Sequence, residues 1–229
     1  MGRAYEVRKA SIQKTGAAKA KLYSNYAKEI YLAAKKGSPE LESNILLKRI
    51  VEKAKKEQVP NDIINRAIDK AKGSGGEDYE VVTYEGFGPG ASTLIIRTLT
   101  DNVNRTVGMV RAAFNKIHKS LGVTNSVSYN YDYLAIISVK GMDEETVFNA
   151  LLENGIEQID FENEDGELVI TVKPTDHNNV KDVLEKLNPN VSYELDEEGM
   201  YAKDKVVLEG EDLELFMRLL SLLEDIDDV

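Results

Sequence analysis

The sequence predicts an α+β protein, with an N-terminal helical domain, then a hairpin and a helix, then strands and helices in ferredoxin-like β-α-β-β-α-β order. Three observations lead there. Apolar residues recur at helical spacing from about Lys19 to Ala71, the period changes to strand alternation at Tyr79, and from Leu134 onward strands and helices alternate. With 229 residues, 42% hydrophobic and 30% charged, the chain has material for one large or two to three small domains.

Residues 1–18 carry no helical period and read as a mobile or marginal arm. Leu22, Tyr26, Ile30 and Ala33/Ala34 mark a first helix, which Gly37, Ser38 and Pro39 should end. A second stripe, Leu46, Leu47, Ile50, Val51 and Ala54, runs to the break at Val59-Pro60. Asn61 is then expected to cap a third helix carrying Ile63, Ile64, Ala67, Ile68 and Ala71, and the glycine-rich stretch from Gly73 to Gly76 closes the helical domain.

YEVVTYEG and STLIIRTLT read as a hairpin around the turn GFGPG. Asp101, Asn102 and Asn104 are candidate caps for a helix with Val107, Val110, Phe114 and Ile117 inside, and SVSYNYDYLAIISV follows as extended chain. The ferredoxin-like unit is read as strand LAIISV, a helix beginning at Asp143 or Glu144, strand IEQIDFE, a turn at Asp165-Gly166 and strand ELVITVK. A helix from Asp176 to Leu187 and the strand VSYELDEEGMYAKDKVVL complete it, and a final helix spans Asp212 to about Leu223. Leu46, Ile50, Phe114 and Leu168 are expected to be interior residues whose only task is packing.

The 29 Lys and Arg and 40 Asp and Glu give a net charge of −11, but their distribution is uneven. Residues 1–76 hold 17 basic and 8 acidic side chains, residues 77–142 six of each, and residues 143–229 hold 6 basic and 26 acidic. Without cysteine there is no disulfide, thiolate nucleophile or Cys-ligated zinc, and His118 and His177 are the only imidazoles. No apolar run follows the basic N-terminus and none approaches 18 residues, so a cytoplasmic protein with no membrane partner is expected. No catalytic, metal or cofactor motif is readable, so neither enzyme activity nor a cofactor is expected. GFGPG lies between two strands instead of opening a helix, which makes it a turn and not a phosphate loop. Asp160–Glu167 would place Phe161 first in a calcium loop, so it reads as a solvated hairpin turn.

The basic N-terminus is the most informative feature. Residues 1–36 offer nine cations, including Arg3, Arg8, Lys9, Lys14, Lys19, Lys21 and Lys28, against Glu6 and Glu29. Such groups can grip phosphate and release counterions. Of the 17 basic residues in 1–76, 13 are Lys, which favours backbone or shape recognition over base-edge reading; a merely solvated lysine surface is the structural alternative. Arg105 falls at or near a helix N-terminus, where the macrodipole disfavours a cation, so an anionic partner is expected, either an outside ligand or Asp101. Tyr129, Tyr131 and Tyr133 would share one face of a strand, able to stack bases or to pack on a neighbouring domain.

MGRAYEVRKASIQK, AKEIYLAAKKG, VPNDIINRAIDKAKG, YEGFGPGASTLII, TDNVNRTVGMVRAAFNK and GVTNSVSY, in that order, together with the closing MRLLSLLEDIDDV, resemble the YebC/PmpR family of probable transcriptional regulatory proteins, whose mitochondrial relative is a translational activator. The resemblance implies a basic helical domain over 1–76, a middle α/β domain formed by 77–133 and 206–229, and an acidic ferredoxin-like domain inserted over 134–205. It implies a non-enzymatic, cytoplasmic regulator of gene expression that binds DNA, or alternatively ribosomal RNA or tRNA, with protein partners of the acidic domain as a further alternative. Carried over residue by residue, its functional surface comprises Arg3, Arg8, Lys9 and Lys14 together with Asn102, Asn104 and Arg105. Two departures are visible: Tyr5 stands where many members have tryptophan, and many continue past the acidic helix into another short strand.

Overall fold

The computed structural model describes residues 16–73 and 78–229. Arg3, Arg8, Lys9 and Lys14, most of the expected arm, and residues 74–76 of the closing glycine-rich stretch lie outside them. In chain order the elements are α1 (Gly16–Lys36), α2 (Ile45–Lys56), α3 (Asn61–Lys72), β1 (Glu80–Phe87), β2 (Thr93–Thr100), α4 (Val103–Asn115), β3 (Tyr131–Lys140), α5 (Glu144–Glu153), β4 (Gln158–Glu164), β5 (Glu167–Val172), α6 (His177–Leu187), β6 (Tyr193–Ala202) and α7 (Gly210–Glu224). The described residues form two compact units, 16–127 with 206–229, and 128–205.

In the first unit α1, α2 and α3 bury Tyr26, Ile30, Leu47, Val51, Ile64 and Ile68 against one another. Asn44 sets the turn between α1 and α2. Its side-chain oxygen caps α2 by accepting from Leu47 N–H (3.0 Å), while its Nδ2 donates to the carbonyls of Ala33 (3.0 Å) and Ser38 (2.7 Å). The turn also explains Gly37, where a Cβ would sit 2.7 Å from that Nδ2.

Three expectations about this helical region are corrected. Helix α1 begins at Gly16, ahead of the first apolar repeat. Pro60, with no side-chain bond, holds the cap position of α3, and Asn61 is already helical because the fixed φ of proline suits helix entry. Leu46 is 61% exposed, since Leu47, Val51 and Ala54, spaced at four and three residues, define the buried face and its neighbour points away.

The hairpin is antiparallel, in register from Glu80↔Thr100 to Phe87↔Thr93. Helices α4 and α7 pack with it around Leu94, Ile96, Val110, Phe114, Ile117 and Leu219. Gly86 is required by that packing, because a Cβ there would meet the Phe114 ring at 2.3 Å. The tight turn of GFGPG rests on Gly90 and Ala91, both at positive φ (57° and 63°).

The second unit is one antiparallel sheet in the order β4-β5-β3-β6, with α5 and α6 packed over Ala135, Ile137, Val139, Leu168, Ile170 and Val172. This is the ferredoxin-like arrangement that the element order predicts. Asp143 caps α5 by accepting from Thr146 N–H (2.9 Å), and Asp165 and Gly166 both take the positive φ that a two-residue hairpin turn demands. Two readings change. Tyr129 lies in a short 3-10 turn, Ser128–Asn130, so only Tyr131 and Tyr133 share a strand face; strand β6 ends at Ala202, before the expected Leu208.

The burial pattern separates packing from surface residues in one experiment. Phe114→Ala should cost about 3–5 kcal/mol because the ring is fully enclosed. Leu46→Ala should cost less than about 0.5 kcal/mol. Thermal or urea denaturation of both variants checks this, and a comparable destabilisation of the two would contradict the assignment of Leu46 to the surface.

Candidate nucleic-acid interface

The candidate cations divide according to what the fold has already placed beside them. Along α1, Lys21 and Lys28 are seven residues apart and therefore on one side of the helix. Lys21 reaches the end of α7 and Lys28 the tail beyond it: Lys21 Nζ donates to the Glu224 carbonyl (2.6 Å), and Lys28 Nζ donates to the Asp227 carbonyl (3.0 Å) and Asp228 Oδ1 (3.0 Å). Lys28 keeps only 12% of its side chain exposed.

Asp228 is the centre of this cluster, with 6% exposure. Its second oxygen accepts from Arg105 Nη2 (2.9 Å) and Thr106 Oγ1 (2.7 Å), with Thr100 Oγ1 at 3.2 Å, and its backbone carbonyl accepts from Leu99 N–H (2.8 Å). Arg105 also donates to Asp101 (2.8 Å). The anion that a cation at the start of α4 calls for is therefore internal, and Asp228 supplies more of it than Asp101 alone. Asn102 is the cap of α4, its side-chain oxygen accepting from Arg105 N–H (3.0 Å), whereas Asn104 is exposed. The ionic contacts hold the guanidinium of Arg105 firmly in its charged form.

The structure therefore brings Lys28, Arg105 and Asn102 together as fastenings of the fold. Lys19 is elsewhere on α1 and exposed, and Arg3, Arg8, Lys9 and Lys14 are outside the described residues. None of the expected site residues lies in α2 or at the end of α1, where Lys36, Lys48, Lys55 and Lys56 are exposed, together with the apolar Ile45 and Leu46. The signal was present in the sequence: Lys53, Lys55 and Lys56 crowd the last turn of α2, where the helix dipole by itself favours cations. Among the described residues no helix is long and apolar enough to cross a membrane, and no cluster of three or more His, Asp or Glu is placed to hold a metal ion.

Residues 3–74 match the TACO1/YebC protein N-terminal domain, and residues 79–229 match the TACO1/YebC second and third domain. A probable transcriptional regulatory protein of Marinobacter nauticus is 44% identical over 229 residues, covering 100% of this chain and 95% of its own length. A protein of the same description from Hydrogenovibrio crunogenus is 46% identical over 230 residues, covering 100% and 96%. The crystal structure of a conserved hypothetical protein from Aquifex aeolicus superposes with a TM-score of 0.76 at 34% identity, over 94% of this chain and 89% of that one.

The Asp228 cluster sets a pH dependence. Burial raises the Asp228 carboxyl, but hydrogen bonds from Arg105, Thr106 and Lys28 outweigh it and hold the group at about 2. The folded value lies below that of an unfolded aspartate, about 3.9. Its contribution to stability, on the order of 2 kcal/mol, is complete above about pH 4 and lost as pH falls through about 2. The stability gap between the wild-type protein and Asp228→Asn in urea titrations should shrink across that window, and a gap independent of pH would disprove this role.

Proposed function

Because the chain belongs to the TACO1/YebC family, we propose that it is a non-enzymatic regulator of gene expression that docks on nucleic-acid phosphate through its N-terminal region. One observation carries the reading: the segregation of charge between the parts of the chain. Residues 16–73 hold 13 basic and 7 acidic side chains, whereas residues 128–205 hold 6 basic and 19 acidic. The first can approach a polyanion and the second is repelled from it.

Where the cations are mounted supports phosphate contact. Lys19, Lys36, Lys48 and Lys55 are exposed on helices, so each can meet phosphate without breaking a buried ion pair. Arg3, Arg8, Lys9 and Lys14 extend the same charge toward the N-terminus. Arg105, Lys21 and Lys28 take a supporting part in this reading, holding the frame on which the exposed cations sit. The predominance of lysine favours recognition of backbone and shape, and the relatives' description as probable transcriptional regulatory proteins favours duplex DNA as the target.

Reversing Arg3, Arg8, Lys9 and Lys14 to glutamate should weaken binding to duplex DNA of any sequence and reduce the slope of log affinity against log salt by about 0.9 for each phosphate no longer engaged. Fluorescence anisotropy across a salt series measures both quantities. An unchanged slope would remove the arm from the interface. Crosslinking in cells followed by sequencing of bound nucleic acid decides between DNA, the leading target, and ribosomal RNA or tRNA.

A further inference from the structure

We propose that a groove between α1 and α3 receives one unpaired nucleotide; the proposal deepens the nucleic-acid reading above and rests on it. The groove has a volume of about 290 Å³, at the small end of ligand sites and suited to one base. Its lining is largely apolar, with Ala27, Ile63 and Ala67 beside the buried Tyr31 and the half-buried Tyr79. The two rings meet edge to face with centroids 5.8 Å apart.

Cations line the same groove. Lys28, Arg66 and Lys70 all border it, with Lys70 Nζ 5.5 Å from the Tyr31 centroid and Lys28 Nζ 5.9 Å from that of Tyr79. Lys28 is committed to Asp228, so the exposed Arg66 and Lys70 supply the charge that a ligand would meet. Arg66 has 75% of its side chain exposed and pairs with Asp62 one helical turn away, the kind of surface pair that exchanges for a phosphate at little cost. The neighbouring carboxylates Asp62 and Asp78 face Arg66 and Lys35, and neither lines the groove.

This combination selects its occupant. A duplex presents phosphate but keeps its bases stacked, so it leaves an aromatic floor unused. An apolar peptide would strand the cations. An unpaired nucleotide offers a flat ring for the half-buried Tyr79 and a phosphate for Arg66 and Lys70, the pairing of aromatic platform and basic rim by which single strands are held.

The test uses the full-length protein with fluorescein-labelled dT12, U12 and a 12-base-pair duplex as anisotropy probes. Tyr79→Leu should weaken single-strand binding about tenfold, as expected for one base left unstacked, while Tyr79→Phe retains it and duplex affinity moves less than about twofold in either variant. The dT12 and U12 arms tell a DNA strand from an RNA strand. Arg66→Gln with Lys70→Gln, both at exposed positions, should reproduce the weakened single-strand binding with little change in melting temperature, which guards against misfolding of Tyr79→Leu. Equal weakening of duplex and single-strand binding by Tyr79→Leu, or none on single strand, would overturn the groove assignment alone if the wild-type protein still binds duplex. Failure of the wild-type protein to bind any of the three probes would overturn the nucleic-acid reading with it. Displacement of a labelled acidic, tyrosine-containing peptide by neither oligonucleotide, with its binding abolished in Tyr79→Leu, would reassign the groove to a protein partner.

Discussion

A single buried carboxylate, that of Asp228, satisfies demands made by three separate parts of the chain. Helix α4 begins with a cation in its first turn, an arrangement that its dipole opposes. Helix α1 presents Lys28 with most of its stem enclosed, and a desolvated ammonium needs an anion. Strand β2 ends in Thr100, whose buried hydroxyl also requires a partner. Asp228 meets all three with its two oxygens, while its backbone carbonyl takes the amide of Leu99 on the same strand. Removing it would leave donors from α1, β2 and α4 facing one another.

That arrangement bears on the proposed docking to a polyanion. Lys28 and Arg105 are matched by Asp228 and Asp101, so the cluster is electrically close to neutral and has little attraction to spare. A nucleic-acid ligand competing for Arg105 would have to displace a carboxylate already desolvated and held by several donors. The exposed lysines of α2 and of the end of α1 stand in solvent, where engaging a phosphate opens no buried cluster. The proposed contact surface and the Asp228 framework therefore draw on different cations of the same small helical region.

The helical stripes, the hairpin and the ferredoxin-like order were legible because each is written in residues a few positions apart. Leu46 was not legible for a related reason: Ile45, Leu46, Leu47, Ile50 and Val51 in the first two turns of α2 cannot all face inward, and only the packing of α2 decides which do. The strain at Arg105 was also legible, since it follows from a charge at a helix start. Its remedy was not, because Asp228 is 123 residues away in a tail that looks like a solvated acidic end. The groove between α1 and α3 is similar, as Tyr31 on α1 and Tyr79 just before β1 are distant in sequence and meet only in the packed fold.

Position on the helix, more than the number of charges, measures the cationic face. Five lysines lie in α1, and Lys21, Lys28 and Lys35 recur at intervals of seven, which keeps them on one slowly drifting stripe. That stripe meets chain on all three occasions, at the Glu224 carbonyl, at Asp228 and at Asp78. Lys19 and Lys36 fall off it and face solvent. A charge count treats all five alike and so overstates the positive potential that α1 can offer. The heptad spacing, once a packing partner is known for one member, identifies which of the others are committed with it.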